Sequence, residues 1–146
     1  MCHLIFISTD CDDDFGAIVS DQLSFRAAEP NEAEVMRTVL QNRNLWQLES
    51  RFGGCSCHFR HLLGECTSED FAEPVDWCPE DDDDCAATYA AYDFLAQIVG
   101  QGHNVDVLDT WNGELKDDIP DIQVSIGEVM RSKFRFFENT RFVLVE

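Results

Sequence analysis

Residues 46–62 read WQLESRFGGCSCHFRHL. Gly53 and Gly54 are the only Gly-Gly pair in the chain, and the residues on either side alternate between apolar and polar. Two alternating runs joined by two glycines predict a β-hairpin, because a two-residue type I′ loop needs φ > 0 at both central positions. With Gly53-Gly54 as the loop, Trp46, Leu48, Ser50, Phe52, Cys55, Cys57, Phe59 and His61 share one face. Gln47, Glu49, Arg51, Ser56, His58 and Arg60 share the other. This pairing sets Trp46 opposite His61 and puts both thiols on the apolar face, where cysteine behaves as a small hydrophobe.

The hairpin sits between two helical stretches. Before it, Pro30 opens a pattern running to residue 42, with Glu32 and Glu34 early and Val35, Met36, Val39 and Leu40 as its apolar stripe. After it, Cys85, Tyr89, Tyr92, Leu95, Ala96, Ile98 and Val99 recur at helical spacing over 81–100, and Gly100 and Gly102 stop the run. Residues 2–9 hold the continuous apolar run Leu4, Ile5, Phe6, Ile7, which predicts a buried first strand. Further strands are expected over 22–28, 104–110, 122–126 and 141–145, with Asn112-Gly113 as a turn. This order predicts an α+β domain with an antiparallel or mixed sheet and helices packed on one face. A ferredoxin-like βαββαβ core with extra strands fits it best. Residues 1–146 are read as a single domain with an acidic connector at about 64–84, tacked down by Phe71 and Trp77.

Hydrophobic residues are 45% of the chain and eleven are phenylalanine, which argues for a packed core and against disorder. No run approaches the roughly 20 apolar residues of a membrane span. The opening MCHLIFISTD lacks the basic segment of a signal peptide, so a cytoplasmic chain is expected. Its seven irregularly spaced cysteines are then expected as thiols or metal ligands. The net charge is −19, and it is segmental. From residue 61 to 115 there are fourteen acids and no Lys or Arg; the rest of the chain holds fifteen acids and all ten basic residues. Such a chain repels nucleic acid and anionic membrane, and its complement is a basic protein or a cation.

Four groups of residues are candidate sites. Glu80 with Asp81, Asp82, Asp83 and Asp84 is the densest acidic run. It offers a docking surface for a basic protein partner, or a mimic of nucleic-acid phosphates; the plainer reading is a solvated connector whose aspartates cap a helix. Cys55, Cys57 and His61, completed by Cys66, or by Cys78 or Cys85, have the residue types of a four-ligand zinc site without the spacing of a zinc knuckle. The plainer reading is core cysteine, and an activated thiol would need a base such as His61. Asp109 beside Trp111 suits a polar pocket at a strand end, with Asp106 on the opposite face of that strand. Arg131, Lys133 and Arg135 lie among phenylalanines, a pattern for single-stranded nucleic acid that the net charge opposes. They can instead answer the acidic segment within the fold or in a dimer.

Four stretches carry a resemblance. They are GCSCHFRHL at 54–62, WCPE at 77–80 with Ala87-Thr88 beyond it, GHNVDVLDTW at 102–111 and FRFFENTRFV at 134–143. Together they resemble a group of small uncharacterised bacterial proteins that share a G-C-x-C-x-F-R-H element, a G-x-x-V-D-x-x-D-x-W element and an F-R-F-F-E-N element. The resemblance spans most of the chain after the first strand and implies no particular activity. In that group the position of His58 is often glycine, which implies no essential role for His58. The sequence is therefore read as a small cytosolic, non-enzymatic interaction module that needs no cofactor. The competing reading is a zinc- or thiol-site protein built on Cys55, Cys57 and His61.

Overall fold

The computed structural model describes residues 2–62 and 71–146. Its central strand is β1 (His3–Thr9), which pairs antiparallel with β3 (Asn44–Ser50) on one edge and with β4 (Val105–Trp111) on the other. β2 (Leu23–Ala27) adds outside β3, and β6 (Arg141–Val145) then β5 (Asp121–Ser125) outside β4. Only the β5–β6 pair is parallel among these strands, so the sheet is mixed. With α1 (Pro30–Met36) and α2 (Asp82–Gly100) the fold is α+β. The inner order β2-β3-β1-β4 has the strand directions of a ferredoxin-like sheet. A 3₁₀ turn at Phe15–Ala17 stands where that arrangement carries its first helix, and α1 joins β2 to β3 instead. Among the described residues no helix is long and apolar enough to cross a membrane.

Alternation along β1 divides the core in two. Ile5 and Ile7 pack with Val105, Val107 and Phe142 of the sheet and with Ala91, Leu95 and Val99 of α2. Phe6 points the other way, to Leu108, Leu45, Met36 and Leu40. The sequence reading set the helices on one face; α2 takes the larger face, and α1 covers a smaller patch on the opposite one. α2 begins where the aspartate run predicts, with the Asp81 carboxylate accepting from the Asp83 and Asp84 N–H groups. α1 stops at Met36 rather than residue 42, and the Thr38 hydroxyl there donates to the Val35 carbonyl. In the connector Phe71 stacks on Phe134 and packs at a tilt on Phe137, but Trp77 is 72% exposed and tacks nothing down.

Only the first arm of the expected hairpin is a strand. β3 already has β1 on one edge and β2 on the other, so no edge remains for a second arm. The glycines do turn the chain: Gly53 and Gly54 have φ of 69° and 77°, and the Ser50 N–H donates to the Cys55 carbonyl at 3.1 Å. The chain then crosses to β1. The Ser56 N–H donates to the His3 carbonyl and the Ile5 N–H donates to Ser56 Oγ, both at 2.9 Å, while that hydroxyl donates to the Leu48 carbonyl. Ser56 thus fills the gap where β1 and β3 stop pairing beyond Ile5 and Leu48. The predicted faces fail with the hairpin: Ser56 and Arg60 are buried, Phe52 is 62% exposed, and Trp46 packs on Phe15 rather than on His61. Ser56→Ala strips the Ile5 N–H and the Leu48 carbonyl of their partner. It is expected to lower the unfolding free energy by roughly 1–3 kcal/mol in a urea melt. An unchanged midpoint would mean that water takes the place of the hydroxyl.

Candidate metal centre

The β1–β4 register sets His3 opposite Trp111 and Ile5 opposite Asp109. His3 and Asp109 are therefore diagonal neighbours on one face, the one that Ile5 and Ile7 turn toward α2. The third group comes from the segment after Ser56. The Phe136 N–H donates to the Arg60 carbonyl at 3.0 Å, and the Leu62 N–H donates to the Phe136 carbonyl at 2.7 Å. Asn139 N–H donates to the Asp109 carbonyl at 2.8 Å, which ties the same strip to the end of β4. This lays the His61 ring over the His3 ring, centroids 3.7 Å apart and planes 19° from parallel. Trp111 stands edge-on to His3 at 5.0 Å.

Two imidazoles now share one carboxylate. His61 Nδ1 lies 2.5 Å from Asp109 Oδ2, and His3 Nδ1 lies 3.1 Å from Asp109 Oδ1. The Asp109 side chain is 1% exposed and the His61 side chain 6%. His61 Nε2 lies 2.8 Å from the Ser56 carbonyl oxygen. A carbonyl only accepts, so Nε2 carries a hydrogen, and this orients Nδ1 toward the carboxylate. Something positive, a proton or a metal ion, must then sit between Nδ1 and Asp109 Oδ2, because both atoms otherwise present lone pairs. Burial alone would raise the Asp109 carboxyl, but hydrogen bonds from His3 and His61 and their charge outweigh it and hold it below its ordinary value. Burial works against a charge on His3 as well, yet the Asp109 hydrogen bond and charge leave its imidazole above its ordinary value. The centre opens on a cavity of about 300 Å³ whose lining includes Cys57, Glu80, Asp84 and Arg135.

Cys55 and Cys57 do not join His61. They meet Cys2, forming a separate trio whose sulfurs lie within 4.8 Å of one another. All three are half-buried, not core residues as the hairpin reading implied. Burial, with the neighbouring Cys55 and Cys2 thiols adding to it, pushes the Cys57 thiol up to about 11. That is the wrong direction for a nucleophile. Cys78 lines the cavity and is disulfide-bonded, so it is neither the thiol nor the zinc ligand the sequence suggests. Cys85 lies on α2 outside both groups, and Cys66 lies outside the described residues.

Most of the acidic run has a partner within the fold. Glu80, expected on a docking surface, is clamped instead. Arg60 Nε and Nη2 donate to it at 2.6 and 2.9 Å, and Arg135 Nε and Nη2 at 3.0 and 2.5 Å. Arg135 is fully buried, and Arg131 pairs with Asp93 on α2. Asp83 meets Arg51 at 2.8 Å. Asp84 stands 3.6 Å from His58, and burial followed by the Asp81 charge raises its carboxyl. Asp82 sits exposed in the first turn of α2. Asp106, facing away from the centre, takes Arg141 at 2.9 Å. Asp81→Ala removes the cap of α2 and is expected to cost roughly 0.5–2 kcal/mol of stability, measured by thermal or urea unfolding. A change below that range would mean the helix start is held by packing alone.

No family model, curated protein or solved structure matches the chain.

Proposed function

We propose that this chain is a metal-binding protein whose centre is His3, His61 and Asp109. The observation that carries this reading is the convergence of two imidazole Nδ1 atoms on one buried carboxylate beside a cavity. Two nitrogens and a carboxylate oxygen with an open side are the donor set of a zinc site that keeps one position for water or another ligand. His61 Nε2 on the Ser56 carbonyl is the outer hydrogen bond that metal-bound imidazoles ordinarily make. Zinc ligands at about 2.0–2.1 Å in a tetrahedron stand about 3.3 Å apart. The His3–Asp109 contact of 3.1 Å is close to that spacing, and the His61–Asp109 contact of 2.5 Å has to open when a metal replaces the proton. This reading keeps His61 and Asp109 from the sequence candidates, adds His3, and leaves Cys55 and Cys57 out of the centre. It ranks ahead of an acidic docking surface because Glu80, Asp81, Asp83 and Asp84 each have a partner inside the fold.

The test is metal analysis of untagged protein purified without chelator. The expected content is about one zinc per chain, falling to background in His61→Ala. Zinc far below that level, together with no thermal shift on adding zinc, would sink the proposal.

A further inference from the structure

A second donor set lies beside the first. Cys2, Cys55 and Cys57 bring three sulfurs within 4.8 Å of one another from two separate segments. None belongs to either hydrophobic cluster, and each is half-buried. The backbone of Cys2 and of Cys55, and the sulfur of Cys57, are held by hydrogen bonds before any ligand arrives. Cys2 N–H donates to Asn112 Oδ1 and the Asn112 N–H donates back to the Cys2 carbonyl, both at 2.8 Å. The Cys55 carbonyl accepts from Ser50 N–H at 3.1 Å. Cys57 Sγ accepts from the His3 N–H at 3.3 Å, a bond that strengthens as the sulfur gains negative charge. Three thiols held in this way converge on one another.

We propose that Cys2, Cys55 and Cys57 form a soft-metal site that binds a monovalent copper ion through their sulfurs. Thiolate ligands select soft ions, and zinc would ask for a fourth protein ligand in a closed site. Among the described residues no further His, Cys, Asp or Glu falls within the same span as the trio, which leaves a three-sulfur set suited to copper in its lower oxidation state. Each thiol that binds gives its proton to solvent, and the copper keeps its oxidation state. The site uses none of the ligand atoms of the His3–His61–Asp109 centre, so the two stand or fall separately.

The experiment is an anaerobic titration of the full chain, its free thiols unoxidised and its Cys78 disulfide intact, with copper(I) against the chromophoric competitor bicinchoninate. The expected result is one copper retained per chain, and the same retention in Asp109→Asn. Cys55→Ser and Cys57→Ser are expected to weaken retention by at least about 100-fold. Bound copper should also shield Cys2, Cys55 and Cys57 of the wild type from iodoacetamide, mapped by mass spectrometry, while labelling of Cys85 is unchanged. This second readout decides the matter if a serine variant fails to fold. Copper that the competitor strips from the wild type, retention unaltered in both serine variants, or three cysteines that label equally with and without copper would each overturn the proposal.

Discussion

Glu80→Gln is expected to lower the unfolding free energy by about 3–5 kcal/mol, the usual cost of breaking a buried ion pair from one side. Two guanidinium groups share this carboxylate, and both lie in the protein interior: the Arg60 side chain is 3% exposed and that of Arg135 is 0%. Their other donors are taken by fixed backbone carbonyls of Ser132, Ala72 and Lys133, so neither side chain can swing out without breaking those bonds as well. A glutamine keeps the shape and one acceptor but leaves two buried cations without a counter-charge. Replacing all three residues by apolar ones of similar size, as in Arg60→Met, Glu80→Leu and Arg135→Met together, is expected to recover much of the loss, since the desolvation cost disappears with the charges. The acid limb gives an independent check. Burial alone would raise the Glu80 carboxyl, but the hydrogen bonds and charges of Arg60 and Arg135 outweigh it and hold it below its ordinary value of 4.5. A folded pKa below the unfolded one means that the unfolded chain takes up the proton first as pH falls. The contribution is therefore present above the unfolded value and fades as pH drops through the folded one. Urea melts from pH 7 down to pH 3 should show wild type losing stability faster than Glu80→Gln over that acid range. A loss below about 1 kcal/mol at pH 7, the size of an exposed pair, would mean that the clamp is solvated.

Several elements were legible because their signals are local. The apolar run of β1, the extent of α2, its aspartate cap and the last strand at Arg141–Val145 stand where their patterns predict. But α2 buries Ala87, Thr88, Ala91, Leu95, Ile98 and Val99, so of the expected stripe only Leu95, Ile98 and Val99 are on the buried face. The hairpin was misread because alternation reports which face a residue takes, not whether a strand has a free edge. Gly53-Gly54 makes a turn as expected, but β2, a strand with a weak pattern, had already taken the outer edge of β3. That single fact moves Ser56 and Arg60 from the surface to the interior and sends Cys55 and Cys57 toward Cys2. His61, Asp109 and Trp111 stand out in the sequence by residue type and by their places on expected strands. His3 was missed, although a signal existed: it alternates with Ile5 and Ile7, so it turns to the same buried face. Knowing that Asp109 is its diagonal neighbour requires the β1–β4 register, which residues over a hundred positions apart in sequence decide. The four stretches that carry the resemblance supply Arg60, His61, Glu80 and Arg135, which line one cavity, and Asp109, Trp111 and Phe136, which contact the two histidines that line it. Their shared destination is spatial and could not be seen in their order along the chain.

Asp109→Asn is expected to separate the two roles that the carboxylate plays. In the presence of chelator the variant loses the charged hydrogen bonds to His3 and His61, a cost of about 1.5–3 kcal/mol for each such bond and less than their sum because the partners are adjacent. An asparagine offers one acceptor and one NH₂ group, so only one of the two imidazole nitrogens keeps the partner it has now. Zinc reports the second role. A ligand that binds only the folded state, at a free concentration of 100 times its dissociation constant, adds about 2.7 kcal/mol of stability to wild type. Removing one of three protein ligands is expected to weaken zinc by at least about 100-fold, beyond what loss of an outer-sphere partner causes. At that same concentration the variant then gains only about 0.4 kcal/mol. Glu80→Gln provides the contrast, because it is destabilised without touching a ligand and should keep the full zinc increment. Denaturant melts of the three proteins with chelator and with zinc read all of this directly. Equal zinc increments in wild type and Asp109→Asn would move the metal away from this carboxylate. A drop in stability with chelator and no increment in wild type would leave His3, His61 and Asp109 as a buried proton-sharing cluster that holds the end of β4 against the segment carrying His61.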